Sequence, residues 1–168
     1  MGNAKRIPFV PVLTVMVDYG NAPFLWLVDQ PEQGGVGPNW CDGTSWDESL
    51  PMSEGLWRRF ADWAIEFDCT AFYSDDFSGN DWGWPAFHAR GLQLSRLLKE
   101  EVRGAYRVVY GKPVEDPNHR IDRWTEILAG GELMTLPPLR GSNPEPLRFC
   151  EHIVSGAQTG VDRGALDF

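Results

Sequence analysis

The sequence predicts an α+β fold: a small sheet made of a hairpin plus a third strand, covered by two amphipathic helices. Three observations predict it. Short runs rich in β-branched and apolar residues stand at 9–19, 24–28 and 106–110, which suits strands. Two longer windows, after Ser53 and after Pro85, place apolar residues three and four apart, the spacing of a helix with one buried face. Glycine and proline clusters separate these segments. From Gly111 onward prolines accumulate, and the fold reads as followed by a Pro-rich linker and the first strand–helix element of a further unit.

The first strand is Val12 to Val17, within the run 9–19, apolar enough for a central position. Gly20-Asn21-Ala22-Pro23 breaks it, and Phe24 to Val28 returns as the second arm of a hairpin. Residues 30–51 read as a loop full of Gly and Pro in which Trp40 and Trp46 are embedded. Ser53 is a credible N-cap with Glu54 in the first turn. The helix that follows lines up Leu56, Phe60, Trp63, Ala64 and Phe67, with Arg58, Arg59, Asp62 and Glu66 opposite. After an acidic loop, 74–83, Pro85 opens the second helix, with Phe87, Gly91, Leu94, Leu98 and Val102 in register. Gly104 is a natural stop, and Tyr106 to Tyr110 forms the third strand. This order closes an α+β domain over 8–111. Residues 112–147 are predicted to be a Pro/Gly-rich linker with one short helix, Ile121 to Ala129, ended by Gly130-Gly131. Residues 148–168 begin the further unit.

Composition bounds the function. At 168 residues, 42% hydrophobic and 12% aromatic, the chain can bury an ordinary core. A net charge of −9 weighs against nucleic acid, since phosphate neutralisation needs clustered Lys and Arg. Acidity suits solubility or a basic protein partner. The cysteines Cys41, Cys69 and Cys150 are far apart and match neither a disulfide framework nor a zinc motif, which points to a reduced, cytoplasmic compartment. Lys5-Arg6 before an apolar run looks superficially like a secretory signal, but Pro8, Pro11 and Asp18 interrupt it. No stretch approaches a membrane span.

The last residues carry the sharpest motif. Ile153-Val154 reads as a strand end, Gly156 to Gly160 as a turn, and Val161 onward as the first turn of a helix. That geometry presents backbone N–H groups and a positive helix end to an anion. Ser155, Gln158 and Thr159 suit an oxyanion, Gly156 and Gly160 allow close backbone approach, and Asp162 and Arg163 could orient a ligand. Ser155 to Arg163, with Ala165-Leu166-Asp167, resembles the opening of the molybdenum carrier proteins, a family related to Rossmann-like nucleotide-binding proteins of the lysine-decarboxylase-like group. The resemblance implies an incomplete Rossmann-like unit and, if completed, a nucleotide or molybdenum cofactor bound at Ser155, Gly156, Gln158, Thr159, Gly160, Asp162 and Arg163. Ala157 stands where the family usually has a second glycine. The chain stops at Phe168, about 100 residues short of a doubly wound domain, so the motif is expected to be a remnant or to need completion. A second likeness, Val17-Asp18-Tyr19-Gly20 with Pro23 and Leu25-Trp26, then Leu50-Pro51-Met52-Ser53, Trp63-Ala64 and Asp68, resembles a group of short bacterial proteins. It implies a fold boundary and no activity.

Other constellations are better explained structurally. Asp68, Asp75, Asp76 and Asp81 could hold Ca²⁺ or Mg²⁺, but lack the alternating spacing of a calcium loop. Asp18, at a strand end, is the best single acid–base candidate. Bonding to the Gly20–Asn21 turn is the simpler role. His88, His119 and His152 stand at no ligand spacing, and nothing marks Cys69 as an activated nucleophile. Trp40, Trp46, Trp82 and Trp84 could form a partner-contact patch, since interface hot spots favour Trp. The chain is therefore expected to be a non-enzymatic interaction protein with a protein partner. The alternatives are a phosphate-ligand or molybdenum cofactor carrier, and an acidic inhibitor that masks a basic partner surface.

Overall fold

The computed structural model describes residues 10–28, 39–70 and 82–137. Along them run β1 (Val12–Val15), β2 (Leu25–Val28), β3 (Asn39–Cys41), α1 (Glu54–Asp68), α2 (Trp84–Val102), β4 (Arg107–Gly111), β5 (Trp124–Ile127) and β6 (Leu133–Thr135). The strands form a single six-stranded open sheet in the order β3-β2-β1-β4-β5-β6. β1 and β4 are parallel, and every other neighbouring pair is antiparallel.

β1 is central, as its sequence predicts, and all four of its residues are buried. Beyond it, Gly20, Asn21 and Ala22 take φ of 86°, 63° and 46° in succession. This left-handed turn sends the chain back as β2. Asn tolerates that region, while Ala22 accepts a cost of about 1–2 kcal/mol because its methyl is packed inside, 3% exposed.

Both helices bury the stripes that their spacing predicts. Leu56, Phe60, Trp63, Ala64 and Phe67 point inward from α1, and Phe87, Gly91, Leu94, Leu98 and Val102 from α2. They meet Leu13, Val15, Leu25, Val108, Tyr110 and Ile127 from the sheet in one core. Ser53 caps α1, accepting the Leu56 N–H at 3.3 Å. The residue that turns left-handed after α2 is Arg103 (φ 50°), not the glycine beside it. Gly91 lets α2 approach closely: a methyl there would lie 2.5 Å from Tyr110 Cε2 and 2.6 Å from Trp63 Cζ2. The helices are antiparallel, with Ser53 at the start of α1 bonded to Glu101 near the end of α2.

The sheet is larger than the hairpin and third strand expected. β3 lies within the stretch read as loop, and residues 124–127, expected in a helix over 121–129, form β5 instead. The physical reason is β4. Its outer edge needs partners, and Val108 to Gly111 find them in Trp124 to Ile127. A nine-residue helix is marginal by itself, whereas Trp124, Thr125 and Ile127 are good strand formers. The prolines of 113–137 therefore accompany two further strands where a linker was expected. The strand end, turn and helix start read at 153–168 lie outside the described residues.

Candidate functional site

One end of the molecule gathers its chemistry. The parallel strands β1 and β4 finish there, α1 ends there, and α2 begins there, as the pairings Trp63–Phe87 and Glu66–Arg90 require. In open, mostly parallel sheets the carboxyl ends of the strands are the usual place for sites; here the one parallel pair among the described residues, β1 and β4, ends in that way.

A three-residue polar relay sits at this end. His88 on the second turn of α2 meets the Tyr110 hydroxyl from β4 through Nδ1 (2.7 Å) and Asp116 Oδ2 through Nε2 (2.8 Å). A carboxylate only accepts, so Nε2 carries the proton and donates to Asp116. Nδ1 then accepts from the Tyr110 O–H. The Asp116 side chain is 2% exposed and that of His88 12%. Asp116 Oδ1 also accepts the Asn118 N–H (2.8 Å), so the loop after β4 is tied to the helix. Burial lowers the His88 pKa, outweighing the opposite pull of Asp116, and nearby Lys112 adds to the lowering. Burial also drives the Tyr110 hydroxyl far above its usual range. At neutral pH the relay is a neutral imidazole between a phenol and a carboxylate, with both ring nitrogens engaged. Trp84 stacks over it, 5.5 Å between centroids and 21° between planes.

Acidic groups flank the relay. Burial raises the Asp18 pKa, and repulsion from Asp68 raises it further. Glu115 is raised by burial first and then by Asp18. Asp18 caps the next residue, accepting the Tyr19 N–H (2.8 Å), whereas the Gly20 N–H goes to Asp68 (2.7 Å). The turn is thus held by the carboxylate at the end of α1, not by the Asp18 side chain to which the sequence assigns it.

A groove of about 360 Å³ opens beside the relay, between α2 and the sheet edge. Pro85, Ala89 and Leu92 form one wall, Leu133 and Thr135 the other, and His88, Tyr110 and Thr125 the floor. Lys112 and Asp122 stand at its rim, and the Lys112 ammonium donates to the Ile121 carbonyl at 2.7 Å. The edge itself is polar in a defined way. Leu128 N–H donates to Glu132 C=O, and Leu136 N–H to Trp124 C=O. With Met134 opposite Glu126, residues 132, 134 and 136 turn their backbone groups toward β5. The N–H and C=O of Leu133 and Thr135 point outward from the sheet. All three β6 residues are exposed, Leu133 at 41% and Met134 at 42%.

The tryptophans named as a contact patch do not share one surface. Trp82 and Trp84 meet edge to face at 4.4 Å by the relay, and Trp84 is buried. Trp40 packs near Tyr106, at the opposite end of β4. Trp46 is half-buried and donates to the Met52 carbonyl (3.3 Å), before α1. Ser155, Gly156, Gln158, Thr159, Gly160, Asp162 and Arg163 lie outside the described residues, as do Asp75, Asp76, Asp81, His152 and Cys150. Among the described residues no group of three His, Cys, Asp or Glu side chains could hold a metal ion, and no helix is long and apolar enough to cross a membrane. Cys69 is exposed, while burial pushes the Cys41 thiol up to about 12. Tyr110 and Asp116 were not foreseen beside His88, because their contacts span 22 and 28 residues of sequence. The local signal was Asp116-Pro117-Asn118, a turn in which an Asp side chain bonds the backbone two residues on.

Compared with family models, curated proteins and solved structures, the chain matches none.

Proposed function

We propose that this chain is a non-enzymatic binding protein that takes an extended stretch of protein along the groove between α2 and β6. The observation that carries the reading is the outward backbone of Leu133 and Thr135, which pairs with no other strand among the described residues, beside an apolar trough. An added strand satisfies outward N–H and C=O groups, and its alternate side chains fill the trough. The relay supports holding over turnover, since both His88 nitrogens are already bonded within the fold. The net charge of −9 favours a protein partner over a nucleic acid.

Placing a photo-crosslinking amino acid singly at Leu92, Leu133 and Thr135, which line the groove, in the full chain, in its own cells, tests this. Arg59 and Asp62 on the outer face of α1 are the controls. The expected result is one common crosslinked protein, identified by mass, from the groove positions and none from the controls. Crosslinks no more frequent at the groove than at the controls overturn it. A partner captured instead from Glu115 or Trp82, and released by salt, moves the function to the acidic end and to the masking-inhibitor reading.

A further inference from the structure

Resting on that reading, we infer that the extended segment that pairs with β6 is the β6 of a second copy of this chain. Edge strands are ordinarily guarded by lysine, proline, a bulge or inward charge. Leu133-Met134-Thr135 carries none of these, and Leu133 and Met134 stand exposed on opposite faces of the sheet. The outward groups are spaced two residues apart. A two-fold axis normal to the sheet and midway between Met134 and the partner's Met134 therefore sets Leu133 opposite Thr135 of the partner subunit and Thr135 opposite the partner subunit's Leu133. Each of these pairs exchanges both of its N–H···O=C bonds. Met134 then faces the partner's Met134 in the closer, non-hydrogen-bonded position, which covers an exposed thioether on each side.

Charge favours the same register. The strand is uncharged, and Glu132 falls opposite the partner's Leu136, not opposite its own copy. The edge is thus a neutral strip on a chain of net charge −9. The geometry also leaves room. α2 packs mainly over β4, so the two copies of α2 lie about five strand spacings apart, ~24 Å at ~4.8 Å each. That exceeds the ~10 Å helix diameter. The two grooves join into one trough with Leu92 of each subunit along its walls.

Sedimentation equilibrium of the full chain, from about 1 μM to about 300 μM, is the test, because a short neutral edge suits dissociation in that range. The expected result is a monomer–dimer equilibrium that tightens with added salt. Met134→Lys and Leu133→Lys should each weaken it by about tenfold or more, ~1.4 kcal/mol. Both side chains are exposed, and an unchanged unfolding midpoint verifies that the variants fold. In hydrogen exchange, the Leu133 and Thr135 amides gain protection as concentration rises. The Met134 amide, which faces β5, is protected throughout. A monomer at every concentration overturns the inference, as does a dimer that both lysine variants leave intact. A monomer that still crosslinks another protein from Leu133 overturns the second copy alone and leaves the binding groove standing.

Discussion

His88 holds three parts of the chain through one ring: its own helix, β4 through Tyr110, and the loop after β4 through Asp116. Each partner is buried, so each bond is costly to leave unmade. Tyr110→Phe removes the donor to Nδ1 and should cost about 1–3 kcal/mol in urea unfolding. The imidazole also sets a pH response. Burial lowers its folded pKa below the ordinary value of 6.5, so the unfolded chain binds the extra proton more readily. The stability it contributes is complete above about 6.5 and is lost as pH falls from there through the folded value, by up to about 1.4 kcal/mol per pH unit. Asp18 and Glu115, with raised values, shift stability in the opposite sense as acid is added. The readout is therefore the difference between the natural chain and His88→Gln, in which the carboxylate contributions cancel. Unfolding midpoints of the two proteins that stay parallel from pH 8 to pH 5 would falsify the neutral buried imidazole.

The β5–β6 hairpin rests on Gly131, which closes a three-residue loop at φ +83° while its N–H donates to the Leu128 carbonyl at 2.9 Å. A type I turn followed by a left-handed glycine is a standard loop of this length. Gly131→Ala should cost about 1–2 kcal/mol through the left-handed strain. It should also speed amide exchange at Leu128, whose N–H reaches Glu132 across the turn. Exchange at Val109 in the central strand should follow only the global loss of stability. Equal acceleration at both amides would mean that the hairpin does not open by itself. The same glycines explain what was legible in the sequence. Gly130-Gly131 was visible as a stop, but a stop suits a helix end or a hairpin equally. The apolar spacing of Ile121, Trp124, Ile127 and Leu128 fits a helix, and only the unpaired edge of β4, fifteen residues earlier, decides for a strand. The stripes of α1 and α2 were legible because each is set by its own spacing. The relay was not, because a lone histidine shows nothing until the fold brings Tyr110 and Asp116 to it.

Across the whole molecule, the ends of β1, β4 and α1 bring Asp18, Asp68 and Glu115 into one neighbourhood on a chain of net charge −9. The Asp18 and Glu115 carboxyls are partly desolvated and each is repelled by a neighbouring carboxylate, so their charged forms oppose folding. Salt should therefore stabilise the protein. Between about 0.01 M and about 1 M NaCl the Debye length shrinks from ~30 Å to ~3 Å, which removes the long-range part of the repulsion. Urea, being uncharged, lets unfolding be followed across that range. Part of any gain will come from stronger apolar burial in salt, which every variant shares. Glu115→Gln isolates the remainder. Glutamine has nearly the same shape, and its neutral amide ends the repulsion with Asp18. At pH 7 the variant should be more stable than the natural chain in low salt, and the advantage should narrow as salt rises. An advantage that persists undiminished at high salt would assign it to desolvation of the Glu115 carboxylate alone. No advantage at either salt would mean that solvent relaxes the acidic end, and that the Asp18–Glu115 repulsion does not limit the stability of this fold.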